Sequence, residues 1–449
     1  ADFITNLAVQ EPKLFKPFAS PLLNPLAGGL NDRSVNVRRS YSRAIAQIAK
    51  LSKVSAVRKL LVRITDQYKT ADPSDSGDSV RHTSGMVLLA LANAAPKKLE
   101  KRMGELVPLV FMAKFNKNEQ VKRTWSEVWE TITSTTAAGV REHIDAITTL
   151  MLECLDASAY EMRRQGADAL TEAIGVAGDT ANSQLPRIVE ALTKSMSGRY
   201  WGGKESVLRS VVAVVKASGS EAAAEHSDQL IDLMVRECER KSVDDAYIRD
   251  CVDSLGKLIE ALPDREYYLR ISSSIFAIEE RSRKDDPVLR ARAIECLGRS
   301  WPAQGNAELV SVQKDTIHSL MGLLGDIMQA AVWRVRLAIL SALTMIFKKV
   351  GKDVADDALM GTAVDILKAG AGDIKYHQVR SEVARAVLAI AKRVEDGPEN
   401  HNAAESKAIF ENCSNAVRDI ARGLCNDTDP TTQQKSQLAR DSFGKTYGV

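Results

Sequence analysis

Apolar residues recur along this chain at three- and four-residue spacing, in runs a few helical turns long that are broken by short polar segments. That spacing turns one face of each run toward a core and predicts helices almost throughout. A longer period overlies it. An apolar residue is followed by Arg or Lys, and mostly apolar or small residues come three, six and seven positions after the basic one. Clear copies are Val37-Arg38 (Tyr41, Ala44, Ile45), Met162-Arg163 (Gly166, Ala169, Leu170), Leu289-Arg290 (Ala293, Cys296, Leu297), Val335-Arg336 (Ile339, Ala342, Leu343) and Val379-Arg380 (Val383, Ala386, Val387). Weaker copies are Val80-Arg81, Val121-Lys122, Gly203-Lys204 and Ile248-Arg249. From 38 to 380 the basic position recurs in steps of 41 to 46, and Gln434-Lys435 offers a tenth copy after a step of 55.

Units of HEAT and armadillo type run about 40–47 residues, so the period predicts an all-α solenoid of about ten helix pairs. Each period also holds an earlier apolar stretch: Ile144 to Leu155 before Arg163, Leu185 to Met196 before Lys204, Ile317 to Ile327 before Arg336. Between the two lies a polar turn, often acidic, as at Asp32, Asp156, Asp244-Asp245, Asp285-Asp286 and Asp373. A turn carboxylate caps the next helix and suits the positive end of its dipole. Turn Asp followed by apolar-Arg is the order of HEAT repeats, where Arg and Asp form a ladder. The expected ladder is Arg38, Arg81, Lys122, Arg163, Lys204, Arg249, Arg290, Arg336 and Arg380. Each pair packs on its neighbours, so residues 1–449 are expected to form one continuous array. Exposed loops are expected near 70–79 (TADPSDSGDS) and 395–406 (EDGPENHNAAES). The chain opens straight into a repeat without Met and is expected to be a piece of something longer.

Composition agrees with helices and removes several functions. Aromatics are 5%, with 26 Gly and 13 Pro, while 45% of residues are hydrophobic. Net charge is only +3, from 61 basic and 58 acidic residues, which gives no reason to expect nucleic acid. The basic clusters Lys97-Lys98-Lys101-Arg102 and Arg281-Arg283-Lys284 lack interleaved aromatics for base stacking. No apolar run reaches the roughly 18 residues of a membrane span. The cysteines 154, 238, 251, 296, 413 and 425 form no CxxC pair and read as small core hydrophobes in a reducing compartment. Six scattered histidines form no metal motif, and neither a nucleophile elbow nor a phosphate loop occurs. The adjacent carboxylates Glu279-Glu280 and Asp356-Asp357 point about 100° apart on a helix and read as solvated faces. No catalytic residue, cofactor or metal is expected.

Two stretches stand out against the repeat. Trp125 and Trp129 in TWSEVW share one helical face, and core packing is the first reading of that spacing. The segment Ser197-Gly-Arg-Tyr-Trp-Gly-Gly-Lys-Glu205 replaces an acidic turn with two aromatics and three glycines. Arg199, Tyr200, Trp201, Lys204 and Glu205 are its candidate partner-binding residues, with Trp201 either packed back onto the solenoid or presented outward.

Three segments carry a resemblance. Gly198-Arg-Tyr-Trp-Gly-Gly-Lys-Glu205, Trp125-Ser-Glu-Val-Trp129 and Met162-Arg-Arg-Gln-Gly-Ala167 resemble, in order and spacing, motifs of the large HEAT-repeat proteasome adapter and scaffold family. The likeness is strongest over residues 105–215; Tyr200 and Ser206-Val207 depart from the pattern. It implies the C-terminal part of such a protein: a non-enzymatic scaffold in cytoplasm and nucleus that binds core and regulatory particle subunits of the proteasome, links them, and influences assembly, stability and activity. A nuclear-transport receptor of the karyopherin type has the same period and the same lack of chemistry, and so does a phosphatase-subunit scaffold.

Overall fold

The computed structural model describes residues 1–217, 226–241, 243–262, 267–301, 332–350, 357–395 and 413–447, with isolated positions 311, 314, 315, 318, 319 and 410. All regular structure among them is helical, and the fold is an α-solenoid. None of its helices is long and apolar enough to cross a membrane. The expected array divides into two compact units, 1–222 and 223–449. A solenoid permits such a division between any two pairs, because no fold-wide core binds distant repeats together.

In the first unit α1 (Asp2–Gln10) precedes five pairs: α2 (Pro12–Leu26) with α3 (Val35–Leu51), α4 (Val54–Thr70) with α5 (Asp75–Ala94), α6 (Met103–Ala113) with α7 (Glu119–Ile132), α9 (Ile144–Leu155) with α10 (Tyr160–Ala177), and α11 (Leu185–Ser197) with α12 (Glu205–Ala217). First helices pack on first helices and second on second: α3 on α5, α5 on α7, α10 on α12. The short α8 (Thr136–Glu142) is inserted after α7 and packs on α10. In the second unit α13 (Ser227–Cys238) pairs with α14 (Asp245–Ala261), α15 (Tyr267–Ser282) with α16 (Pro287–Arg299), α18 (Asp357–Ala371) with α19 (His377–Glu395), and α20 (Ser414–Leu424) with α21 (Pro430–Tyr447). The second helix α17 (Trp333–Lys349) lies between α16 and α19. The first helix expected over 317–327 lies outside the described residues except for 318 and 319, as does nearly all of the loop expected at 395–406.

The 41- to 46-residue register is what builds the pairs. The basic position falls in the first or second turn of each second helix, except Lys204 just before its helix, and the small and apolar residues around it are core: Val379, Val383, Ala386 and Val387 are fully buried. Trp125 and Trp129 are core as well. Trp125 meets Tyr68 edge-on at 4.9 Å and donates to the Arg81 carbonyl at 3.0 Å, and Trp129 packs on Phe111 at 5.0 Å. A Cβ on Gly85 would stand 2.9 Å from the Trp125 indole nitrogen, so glycine there makes room for the ring. The Gln165 amide donates to the Tyr68 hydroxyl (3.0 Å) and the Met112 carbonyl (2.9 Å), joining helices of three consecutive pairs in a buried polar contact. Burial pushes the Tyr68 phenol up to about 12.

Three expectations change. The loop over 70–79 is shorter, because α5 starts at Asp75. Ser74 caps it by accepting from Gly77, and Gly77 and Asp78 are buried. Lys122 leaves the ladder. Asn116 and Asn118 accept the turn's free amides (2.9–3.3 Å), so nothing there needs the ammonium, and Lys122 reaches Glu119 at 3.5 Å on the surface. Glu279, expected on a solvated face, is fully buried between Arg283 (2.9 Å) and Arg290 (2.8 Å).

Candidate functional site

The turn from Gly198 to Lys204 is the one place in the first unit where a pair is closed by aromatics and glycines. Helix α11 ends at Ser197 with its last carbonyls open, as any helix does. The Lys204 side chain closes them. It is wholly buried, and its Nζ donates to the Met196 carbonyl at 2.7 Å and the Gly198 carbonyl at 3.0 Å. Gly203 has φ = 107°, a conformation costly to any residue with a Cβ, and that Cβ would press on Trp201 and on Arg164 of α10 at 3.1 Å. Gly202 has open space around it and no such requirement.

Trp201 is turned inward at 4% exposure and stacks on Tyr160 of the preceding pair, with centroids 5.6 Å apart and planes at 15°. The Arg163 guanidinium lies against both rings, 5.7 Å from Tyr160 and 5.9 Å from Trp201, while its Nε donates to the Ala157 carbonyl. The indole N–H of Trp201 has no hydrogen-bond partner, so stacking holds the ring. Tyr160 remains 55% exposed and Tyr200 36% exposed, and Arg199 is exposed beside them. A cleft of about 460 Å³ adjoins this shelf, lined by Leu152, Leu155, Arg187 and Lys194. Lys194 holds Asp156 at 2.7 Å and keeps that carboxyl below its usual range.

Of the five residues expected to meet a partner, Arg199 and Tyr200 are at the surface and Glu205 is half-buried. Trp201 and Lys204 face inward and support the turn. Sequence reasoning passed over Tyr160, although a signal existed. Tyr160 stands three residues before Arg163 as Trp201 stands three before Lys204, so one repeat step of 41 relates the two rings.

The remaining ladder residues fall into two kinds. In the first unit Arg38 donates to the Asp32 and Arg33 carbonyls (2.8 and 3.1 Å), and Arg81 to those of Asp72 and Ala71 (3.0 and 2.6 Å), each closing its own turn. In the second unit Arg249 reaches the Asp286 carboxylate (2.8 Å), Arg336 that of Asp373 (2.7 Å) and Arg380 that of Asp427 (3.0 Å), each in the next turn along the stack. Arg290 instead pairs with Glu279 of its own pair. Among the described residues no cluster of His, Cys, Asp and Glu could hold a metal, and burial pushes the Cys154 and Cys296 thiols up to about 12, far from reactivity.

The HEAT-repeat domain of "Proteasome adapter and scaffold protein ECM29" matches residues 1–69, and the ECM29 C-terminal ARM-like repeats match residues 213–423. The chain belongs to the ECM29 family. The human proteasome adapter and scaffold protein ECM29 is 22% identical over 99% of this chain, and "Proteasome component ECM29" of Saccharomyces cerevisiae is 19% identical over 56% of it. The chain spans about a quarter of the human ECM29 protein and 13% of the yeast one. The shelf at Tyr160 and Tyr200 lies between the two matched ECM29 domains but inside the human alignment. A crystal structure of importin beta superposes over 97% of this chain and 54% of its own, with a TM-score of 0.61 and 13% identity. At that identity the likeness is one of fold.

Proposed function

We propose that this chain is a non-catalytic, proteasome-binding segment of a scaffold that links core and regulatory particles in cytoplasm and nucleus and tunes their assembly, stability and activity. Membership of a family of proteasome adapters supports the reading, and the observation that carries it to residues is the aromatic shelf. Tyr160 and Tyr200 expose large amphipathic rings beside Arg199, over a Trp201 and an Arg163 fixed beneath them. Tyr, Trp and Arg dominate binding hot spots, because rigid rings bury much area at little entropic cost. Replacing Arg199 and Tyr200 together by Ala removes exposed area and leaves the Tyr160–Trp201 stack in place. Capture of purified proteasomes by this variant should weaken at least about 30-fold, the 2 kcal/mol of a hot spot, with melting temperature unchanged. Capture equal to the parent's overturns the assignment. The importin likeness carries a transport reading no further than the fold.

A further inference from the structure

The second helices α3, α5 and α7 carry a second surface, separate from the shelf. Two clefts of about 600 and 550 Å³ lie along them, and Arg39, His82, Arg123 and Thr124 line both, so they form one groove. Arg39, His82 and Arg123 each directly follow the ladder position (38, 81 and 122) on successive repeats. They therefore stand in a row at one register, and Arg43 lies one helical turn beyond Arg39 in the same groove. The balance of charge is one-sided. Arg39 and Arg43 are exposed and have no carboxylate within ion-pair distance among the described residues. Arg123 shares Glu127 at 3.6 Å and Lys122 shares Glu119 at 3.5 Å, both on the surface. His82 is held below its ordinary range, by burial first and then by Arg38, Arg39 and Arg123, with no carboxylate opposing them. The same register one pair further on is neutralised: Arg164 sits between Glu161 and Asp168 at 2.8 Å each. At the following repeat the position is Glu205.

We propose that this groove docks an extended acidic peptide segment of a partner protein, with carboxylates about three residues apart lying over Arg39, His82 and Arg123. The spacing follows from the scaffold. Packed helices lie about 8–10 Å apart, and a chain extended as polyproline II advances about 3.1 Å per residue with three residues per turn, so every third side chain returns to the same face about one helix further along. An extended segment also brings unpaired backbone amides and carbonyls. Gln47 and Asn93 offer hydrogen bonds to them, beside the apolar Met86 and Leu89. Without aromatics, the groove lacks the stacking platform of a single-stranded nucleic-acid site.

The test uses the whole 449-residue chain and a fluorescein-labelled ten-residue peptide with Asp at positions 1, 4 and 7, read by anisotropy. A peptide of the same composition with its three Asp adjacent, and a ten-nucleotide oligo-dT, serve as competitors. The spaced peptide should bind, compete better than the clustered one, and lose at least about tenfold in affinity on Arg39→Ala with Arg123→Ala. Arg209→Ala, an exposed arginine 3.9 Å from Asp168 and outside the groove, should leave its affinity unchanged. Both variants should keep the parent's melting temperature, since Arg39, Arg123 and Arg209 are exposed. Equal competition by the clustered peptide, unchanged binding to Arg39→Ala with Arg123→Ala, or displacement by oligo-dT more readily than by the peptide each overturns the proposal.

Discussion

The two units use the same sequence signature for different purposes. In residues 1–222 the basic residue of a second helix closes its own turn on backbone carbonyls, as Arg38, Arg81 and Lys204 do. In residues 223–449 the turn aspartate divides its two oxygens. Asp286 accepts from Val288 and Leu289 through Oδ1 and from Arg249 through Oδ2, and Asp373 accepts from Lys375 and Tyr376 through Oδ1 and from Arg336 through Oδ2. One carboxylate thus caps a helix and ties it to the preceding pair. Both units share the aromatic stack beside the ladder: Tyr160 on Trp201 in the first, with Arg163 against both rings, and Trp333 on Tyr376 in the second (5.6 Å, 20°), with Arg336 against Tyr376. What differs is whether a ladder arginine makes the charged link between neighbouring repeats. In the first unit such links run through other residues, as from Lys194 to Asp156 and from Lys114 to Glu172.

The largest effect that separates the units should come from Asp373→Ala. It removes a nearly buried carboxylate that accepts from Lys375, Tyr376 and Arg336, so it should cost about 3–5 kcal/mol, as removing one partner of a buried pair does. Asp32→Ala, in the first unit, loses only the exposed hydrogen bond from the Ser34 amide and should cost about 1 kcal/mol. Denaturation followed by hydrogen exchange separately over each unit reads both values, and similar costs would erase the distinction. Lys204→Met keeps the aliphatic stem and strands two carbonyls. It should cost about 2–3 kcal/mol, read by thermal melting; a melting temperature equal to the parent's would remove Lys204 from the support of that turn. The smallest effect is a titration. The Asp427 carboxyl lies below its ordinary value, chiefly through its hydrogen bond to Arg380. That contribution is therefore complete above the ordinary aspartate pKa and is lost as pH falls through the folded value. Carbon-13 titration of Asp427 should show the low midpoint, and Arg380→Gln should raise it; a midpoint that stays put would detach Asp427 from the ladder.

The helix pairs and the core were legible because register alone fixes them. An apolar-basic step every 41 to 46 residues, with small residues three and six later, can bury only one face. The direction of each arginine was not. Val37-Arg38 and Val335-Arg336 read alike, yet one guanidinium finds its own carbonyls and the other a carboxylate 37 residues on. That choice depends on the backbone path of a neighbouring turn, which a local pattern does not contain. Lys122 was readable after all, since Asn116-x-Asn118 just before Glu119 is itself a cap signal. Glu279 was not, because its burial follows from two arginines that converge on it from a helix face and from the next helix.

The Gln165 contact bears on how the first unit would behave as a spring. In a stack held by nearest neighbours, tension applied at the ends peels off one pair at a time, giving a run of small, even steps. Gln165 hydrogen-bonds at once to Tyr68 and Met112, so the second, third and fourth pairs share a clasp that must open before any of them lengthens. Under load the stretch from about residue 54 to 177 should hold as a stiff block and release in one larger step, with compliance confined to the pairs on either side of it.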